Sequence, residues 1–503
     1  MAVFDKWHQD TRCPVRSSTA VSFRDVEPSS SAVEPNIRPL RQGRVGVASA
    51  LLTVVAILSP LVVSPATAQA QAKKTTRPSA RAPVDKAFQK AKKEYQLKCR
   101  QKKPADRIAA LKLLEDFPTG DAAELIFVTL LDDKNDDVRQ AAVDFLSALR
   151  DRPEVAEKLL RRMSTAAGKD GMDIRTAGAL KAIAGTEDEE LQGGILQFLD
   201  EFLGTPQGNL ETLHAMIDAE SPHGDPEEVL RMLTLFTRAQ FYGRDFGYRR
   251  CLLQGLMEVK DQEAITHLID LLPDLKGLVQ FDVVSHLVAA TGQNFGDDAQ
   301  KWKNWWAAKR GKKDLADKTP PPPVGNYGNF GEYYGIPICA KRVVFVLDTS
   351  LSMRGARIQA AKTELVRAIK ELHKEVFFDV IAFDNTARVW QPELVLATDP
   401  MKRVAVNVVL DQTLKFNTAS YDALEAAFTL FPEAIYFLSD GAPHGGKTDD
   451  PKEIISAISA MNRVRRVSIY SIGIETGDPK TSVFGRFMKE LAESNWGVFK
   501  PVN

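Results

Sequence analysis

The chain has little of what usually announces thiolate or disulfide chemistry. Four of its 503 residues are cysteine, Cys13, Cys99, Cys251 and Cys339, and none forms a C-x-x-C pair, which excludes a zinc knuckle and a thioredoxin-like redox motif. Without the N-terminal segment only Cys99, Cys251 and Cys339 remain. An odd set cannot pair fully within one chain, so a disulfide framework is not what holds the fold. The seven histidines are scattered, with none at the i, i+4 spacing that puts two imidazoles on one helix face, and no zinc site is expected. Net charge is also missing. Lys plus Arg and Asp plus Glu both equal 66, so no global field draws the chain to nucleic acid or an anionic membrane. No Ser-His-Asp order, activated thiolate or catalytic carboxylate pair stands out, and the chain is not expected to be an enzyme.

What is present is an ordinary folding composition, 44% hydrophobic and 26% charged, on a chain too long for a single core. Several domains are therefore expected. Near the start, Arg38, Arg41 and Arg44 precede an apolar run at residues 45–63, and Ala66-Thr67-Ala68 and Ala68-Gln69-Ala70 follow. Basic, apolar, then small residues is the order of a signal peptide, so residues 45–70 predict export with cleavage after Ala68 or Ala70. The competing reading is an uncleaved membrane anchor, since the run is near the lower length for a spanning helix. Either way the remainder is placed in the periplasm, at the cell surface or outside the cell. Residues 1–44, rich in Ser, Pro and Arg, read as a disordered leader or as a start codon placed too early.

Residues 85–310 carry apolar side chains at three- and four-residue spacing and few alternating β-branched runs, which predicts an all-α region. Asp121 is a candidate N-cap, a further helix is expected from Asp137, and the acidic stretch 132–137 between them reads as a solvated turn, not a calcium loop, because Val138 stands where the sharp turn needs glycine. The segment Asp137-Val138-Arg139-Gln140-Ala141-Ala142-Val143 resembles the second helix of a HEAT repeat, and Arg107-Ile108-Ala109-Ala110-Leu111 and Arg175-Thr176-Ala177-Gly178-Ala179-Leu180 echo it. That resemblance implies a HEAT-like solenoid with a concave face, the alternative being an irregular helical bundle. Trp302, Trp305 and Trp306 share one helical face and suit a helix that closes the end of the stack. The linker, residues 311–340, includes four consecutive prolines at 320–323. A polyproline II spacer there is expected to hold the flanking domains apart.

From residue 341 the period changes. Val343-Val344-Phe345-Val346-Leu347 is a continuous apolar run, as in a central parallel strand. Strands are then expected at 377–383, 387–391, 435–438 and 467–474, with helices at 356–374, 401–410, 421–430 and 452–461 between them. Their mostly alternating order predicts a doubly wound α/β domain over 341–503, with Asp348 and Asp440 at the carboxyl ends of strands.

Here Asp348-Thr349-Ser350-Leu351-Ser352 matches a D-x-S-x-S loop, Thr418 precedes Tyr421-Asp422-Ala423-Leu424, and Asp440-Gly441 supplies a second aspartate. Together these resemble the von Willebrand factor type A domain with its metal-ion-dependent adhesion site. The resemblance implies that Ser350, Ser352 and Thr418 offer hydroxyls to a divalent cation, Mg²⁺ or else Mn²⁺ or Ca²⁺, while Asp348 and Asp440 hold it directly or through water. It further implies a protein partner that brings a carboxylate to the open coordination position. Two positions depart from the family pattern: Leu351 replaces a glycine frequent between the serines, and Phe416-Asn417 replace glycines before the threonine.

One rival motif needs weighing. Residues 441–448, Gly-Ala-Pro-His-Gly-Gly-Lys-Thr, fit the phosphate-loop pattern after a strand. In such a loop the Lys and Thr enter the first helical turn, whereas here Asp449-Asp450-Pro451 intervene, and Pro451 suits the first helical position with Asp450 as its cap. The sequence therefore favours an exported adhesion or assembly protein acting through the metal site, with the helical repeats as a second surface. A scaffold whose solenoid is the main binding surface is the alternative, and a phosphate-loop nucleotide hydrolase a remote one.

Overall fold

The computed structural model describes residues 82–205, 209–311 and 328–502. The expected leader 1–44, the expected signal segment 45–70 and the proline run at 320–323 lie outside the described residues. Among those described, every element up to residue 311 is helical. Short polar side chains on extended backbone set the starts, because from there an oxygen reaches the orphan N–H groups of the first turn. Asp173, Asp188 and Asp225 each do so for the helices Ile174–Ala184, Glu189–Phe202 and Pro226–Phe236. Two expected starts shift. Thr119, not Asp121, caps Gly120–Thr129 by accepting from Ala122 N, and Asn135 caps a helix that begins at Asp136, not Asp137. The acidic turn is also less solvated than expected, since Asp133 accepts from Arg107 Nε at 2.6 Å and Nη2 at 2.8 Å.

Successive helices pack on the next but one: Gly120–Thr129 on Pro153–Asp170, Asp136–Ser147 on Ile174–Ala184, and Pro153–Asp170 on Glu189–Phe202. That is how two layers of helices stack, each layer burying the apolar stripe of the other. The helix Ala299–Lys309 closes the end as the tryptophans predict. Trp302 is fully buried and donates Nε1 to Gly296 O at 2.8 Å, and Trp306 donates Nε1 to Thr266 Oγ1 at 2.8 Å.

The C-terminal part is a mostly parallel sheet between helices. A small hairpin, β1 (Glu332–Tyr333) with β2 (Ile336–Pro337), precedes β3 (Arg342–Asp348), β4 (Phe377–Phe383), β5 (Ala387–Val389), β6 (Val395–Leu396), β7 (Ala434–Ser439), β8 (Ser468–Ile474) and β9 (Phe499–Val502). The order is β5-β4-β3-β7-β8-β9, with β6 also on β4; β5 and β6 run antiparallel to β4 and the other pairs are parallel. Alternation along β3 feeds two cores. Val343, Phe345 and Leu347 pack into one and Val344 and Val346 into the other, which is why the run reads as uninterrupted hydrophobicity. The first core also recruits Tyr333, Ile336 and Ile338, residues that the sequence reading had left in the linker. The helix expected to reach 374 stops at Glu371, because Leu372 turns extended and His373 N bonds Phe330 O at 2.7 Å.

The expected separation of the two parts does not hold: residues 82–503 form one compact unit. Arg466 explains why. It ends the helix Pro451–Arg465 in a left-handed conformation, φ 55°, and its buried side chain reaches into the helical region. There it donates to both carboxylate oxygens of Asp218 at 2.8 and 2.6 Å and to Gln254 Oε1 at 2.8 Å, under the ring of Trp496. Arg250 returns the contact, donating to Arg466 O and to Asp282 Oδ2. Paired and hydrogen-bonded in this way, the two guanidinium groups tolerate burial. Leu278 of the helical region is buried in the sheet's own core. These contacts gather at the amino ends of β3, β7 and β8, so the carboxyl ends that carry Asp348 and Asp440 lie at the other edge of the sheet.

Candidate metal centre

In a parallel sheet the carboxyl ends of neighbouring strands face the same way, and a crevice opens where the strand order reverses. Here that point lies between β3, which leads outward to β4, and β7, which leads the other way to β8. Asp348 is the last residue of β3 and Asp440 immediately follows β7. The serines join them. Ser350 N donates to Asp348 Oδ1 at 2.7 Å, Ser350 and Ser352 hydroxyls lie 2.8 Å apart, and Ser352 Oγ donates to Asp440 Oδ1 at 2.7 Å. Four of the five expected ligand residues are thus joined by hydrogen bonds, the first through the Ser350 backbone N–H.

Thr418 is placed by its backbone. It exchanges N–H···O bonds of 2.8 and 3.0 Å with His444, in the loop after Asp440, while Lys415 N bonds Thr349 O at 3.0 Å beside Ser350. The loops after β3, before the helix Ser420–Thr429 and after β7 therefore converge, and Thr418 is buried among them. Both departures from the family pattern fit this backbone. Asn417 adopts φ 70°, a left-handed conformation that asparagine tolerates better than most residues. Leu351 opens a 3₁₀ turn at Leu351–Met353 with no positive φ, so it needs no glycine.

Burial dominates the electrostatics at Asp348. Asp348 is fully buried, and desolvation first, with Asp440 adding a smaller repulsion, pushes its carboxyl up to about 6 against hydrogen bonds from Ser439 and Ser350. Further side chains around the two aspartates belong to no motif. Ser439 Oγ donates to Asp348 Oδ2 at 2.6 Å. Arg357 Nη1 donates to Asp440 Oδ2 at 2.9 Å. Behind the first loop, Thr349 Oγ1 reaches Asp384 Oδ2 at 3.2 Å, and Arg388 joins both. Only Ser439 had a visible signal, its position beside Asp440 at a strand end. Among the described residues no three of His, Cys, Asp and Glu gather as a metal cluster; the donor set here is two carboxylates and hydroxyls.

The glycine-rich loop is not built as a phosphate cradle. The following helix begins at Pro451, capped by Asp450. Lys447 Nζ pairs with Glu425 at 2.5 Å and Thr448 Oγ1 donates to Glu453 at 2.7 Å. Gly446 is required for packing, since at its φ of 80° a Cβ would stand 2.1 Å from Asp422 Oδ2. His444 is exposed, 3.8 Å from Asp449.

Residues 341–499 match the family model of the von Willebrand factor type A domain. Among known relatives, inter alpha-trypsin inhibitor heavy chain 4 of Mus musculus is 26% identical over 180 residues, 33% of this chain and 18% of that protein. The human von Willebrand factor A domain-containing protein 3A is 28% identical over 165 residues, 32% of this chain and 13% of that protein. The chain thus spans less than a fifth of the length of these relatives. A von Willebrand factor type A structure from Catenulispora acidiphila aligns at 24% identity over 33% of this chain and 40% of that one, with a TM-score of 0.28. By its match to the family model, the chain has a von Willebrand factor type A domain over residues 341–499, preceded by a largely helical region.

Proposed function

We propose that the protein is an exported adhesion or assembly factor that binds a protein partner through a divalent cation at the sheet edge, with the helical region, read as a HEAT-like stack, as a second contact surface. The observation that carries this reading is the hydrogen-bonded run from Asp348, through the Ser350 N–H and then the Ser350 and Ser352 hydroxyls, to Asp440. The donor set fits Mg²⁺, a hard ion that prefers oxygen, takes few carboxylates and keeps waters. Asp348 and Asp440 supply the charge, and Ser350, Ser352 and Thr418 supply neutral oxygens. A bound cation would leave a coordination position for a partner carboxylate, since the hydroxyls among its ligands are neutral and do not offset the cation's charge. The packing of the helices Gly120–Thr129, Asp136–Ser147 and Pro153–Asp170 each on the next but one supports the stack reading. No catalytic role is proposed for any side chain.

The test is capture from an envelope extract with Mg²⁺ or with a chelator. Partner capture is expected only with the metal. Capture that survives chelation would shift the binding surface to the helical stack. Export has its own check, because the mature protein is expected to begin at Gln69 or Gln71 on N-terminal sequencing. Recovery of the intact chain only with detergent would favour the anchor. Among the described residues no helix is long and apolar enough to cross a membrane.

A further inference from the structure

Building on the metal-site reading, we infer that Arg357 is a tethered counter-charge which competes with the cation for Asp440 and sets the affinity of the site. Arg357 lies in the first turn of the helix Ala356–Glu371, directly after the metal loop. Its guanidinium spans two strand ends. Nη1 donates to Asp440 Oδ2 at 2.9 Å and to Ser352 O at 3.1 Å, while Nε and Nη2 donate to Glu475 Oε2 at 2.9 and 2.5 Å. Asp440 has its other oxygen on Ser352, so both of its oxygens are engaged by this chain alone. The Asp440 side chain is fully buried, whereas those of Arg357 and Glu475 are 36% and 51% exposed.

The unequal burial gives the arrangement a direction. A charged pair is less screened where water is excluded, so Arg357 compensates Asp440 at its buried end while sharing its charge with Glu475, which takes two of its donors. A cation that claims the charge of Asp440 must overcome that compensation. Glu475 is the acceptor to which the guanidinium can transfer its charge. Its own position is fixed, since it adopts φ 51° and donates its N–H to Val502 O at 2.7 Å. Arg357 is thus a positioning residue that acts on the metal through Asp440, and it ties cation binding to the segment after β8.

The two arms of Arg357 predict opposite effects, which a merely structural role would not. In titration calorimetry of the full chain with MgCl₂ alone, Arg357→Gln is expected to tighten binding about tenfold, because a competing charge is removed. Glu475→Gln is expected to weaken it about threefold, because the guanidinium is then left to Asp440. Arg357→Lys, which keeps the charge, should return affinity toward wild type. Weaker or unchanged binding in Arg357→Gln, with a native circular-dichroism spectrum, overturns the inference. Binding by Arg357→Gln where wild type takes no Mg²⁺ supports Arg357 as the competitor while removing the metal reading from the native chain. Absence of binding in both proteins sinks the two together.

Discussion

Asp348→Asn is expected to abolish Mg²⁺ binding and at the same time to raise the unfolding midpoint of the metal-free protein at pH 7. A unit charge at about 4 Å in an effective dielectric of about 20 is worth about 4 kcal/mol. Loss of one of two carboxylates therefore weakens a divalent cation by at least about a hundredfold. Asparagine is the informative replacement. Its oxygen can still accept from Ser350 N, and its amide can donate to Ser439 Oγ, which presently donates to Asp348 Oδ2. Alanine would leave the buried Ser350 N–H without its acceptor, at about 1–3 kcal/mol, and would blur the reading.

The stability gain follows from linkage. Burial raises the Asp348 carboxyl to about 6, so between the unfolded value near 4 and that point the native state binds more protons than the unfolded one, and stability falls as pH rises. A shift of about two units corresponds to about 3 kcal/mol of destabilisation above pH 6, absent below about pH 4. The neutral side chain removes it. The advantage of Asp348→Asn is accordingly expected to be largest at pH 7 and to shrink as the wild-type carboxyl takes up its proton. Thermal unfolding followed by circular dichroism at pH 7 and pH 4.5, without metal, checks the trend. A lower midpoint for the variant at pH 7 would show that the ionised carboxylate stabilises its loop.

The same residues show what a one-dimensional reading captures. β3 was visible because a strand buried on both faces must be apolar at every position from Val343 to Leu347, whereas the D-x-S-x-S loop stood out only through its resemblance to the von Willebrand factor type A motif. Thr418 and Asp440 were picked out by the same resemblance. What the sequence could not express were pairings fixed by strand order and by helix direction. Arg357 reaches Asp440, 83 residues away, only because β3 and β7 are neighbours. Arg466 presented no pattern at all: it is a basic residue at a helix end, a position that ordinarily faces water. The expected independence of the two parts failed for that reason, since four prolines describe a linker and say nothing of surfaces that meet elsewhere in the chain.

Gly247→Ala is expected to loosen the helical region from the sheet domain, although at most sites in a helix the same change stabilises by up to about 1 kcal/mol. Gly247 lies in the first turn of the helix Phe246–Glu258, and a Cβ there would stand 2.0 Å from Val464 O and 3.1 Å from Arg465 Cα. Both obstacles are backbone, so no rotamer relieves the clash and one element must withdraw from the other. Withdrawal strains the neighbouring bonds of Arg250 to Arg466 O and of Arg466 to Asp218, leaving buried guanidinium groups short of partners. A cost of about 3 kcal/mol or more is expected, at the upper end for overpacking. Gly243→Ala is the control, since nothing lies within 4 Å of a Cβ at that position, and its midpoint should be unchanged or slightly higher. The sheet core of Gly247→Ala is untouched, so its metal edge should still bind Mg²⁺. Trypsin cleavage at Arg463 and Arg465, followed in time for both variants and wild type, reads the opening directly. Wild-type protection in Gly247→Ala would mean that the two parts meet through some other surface.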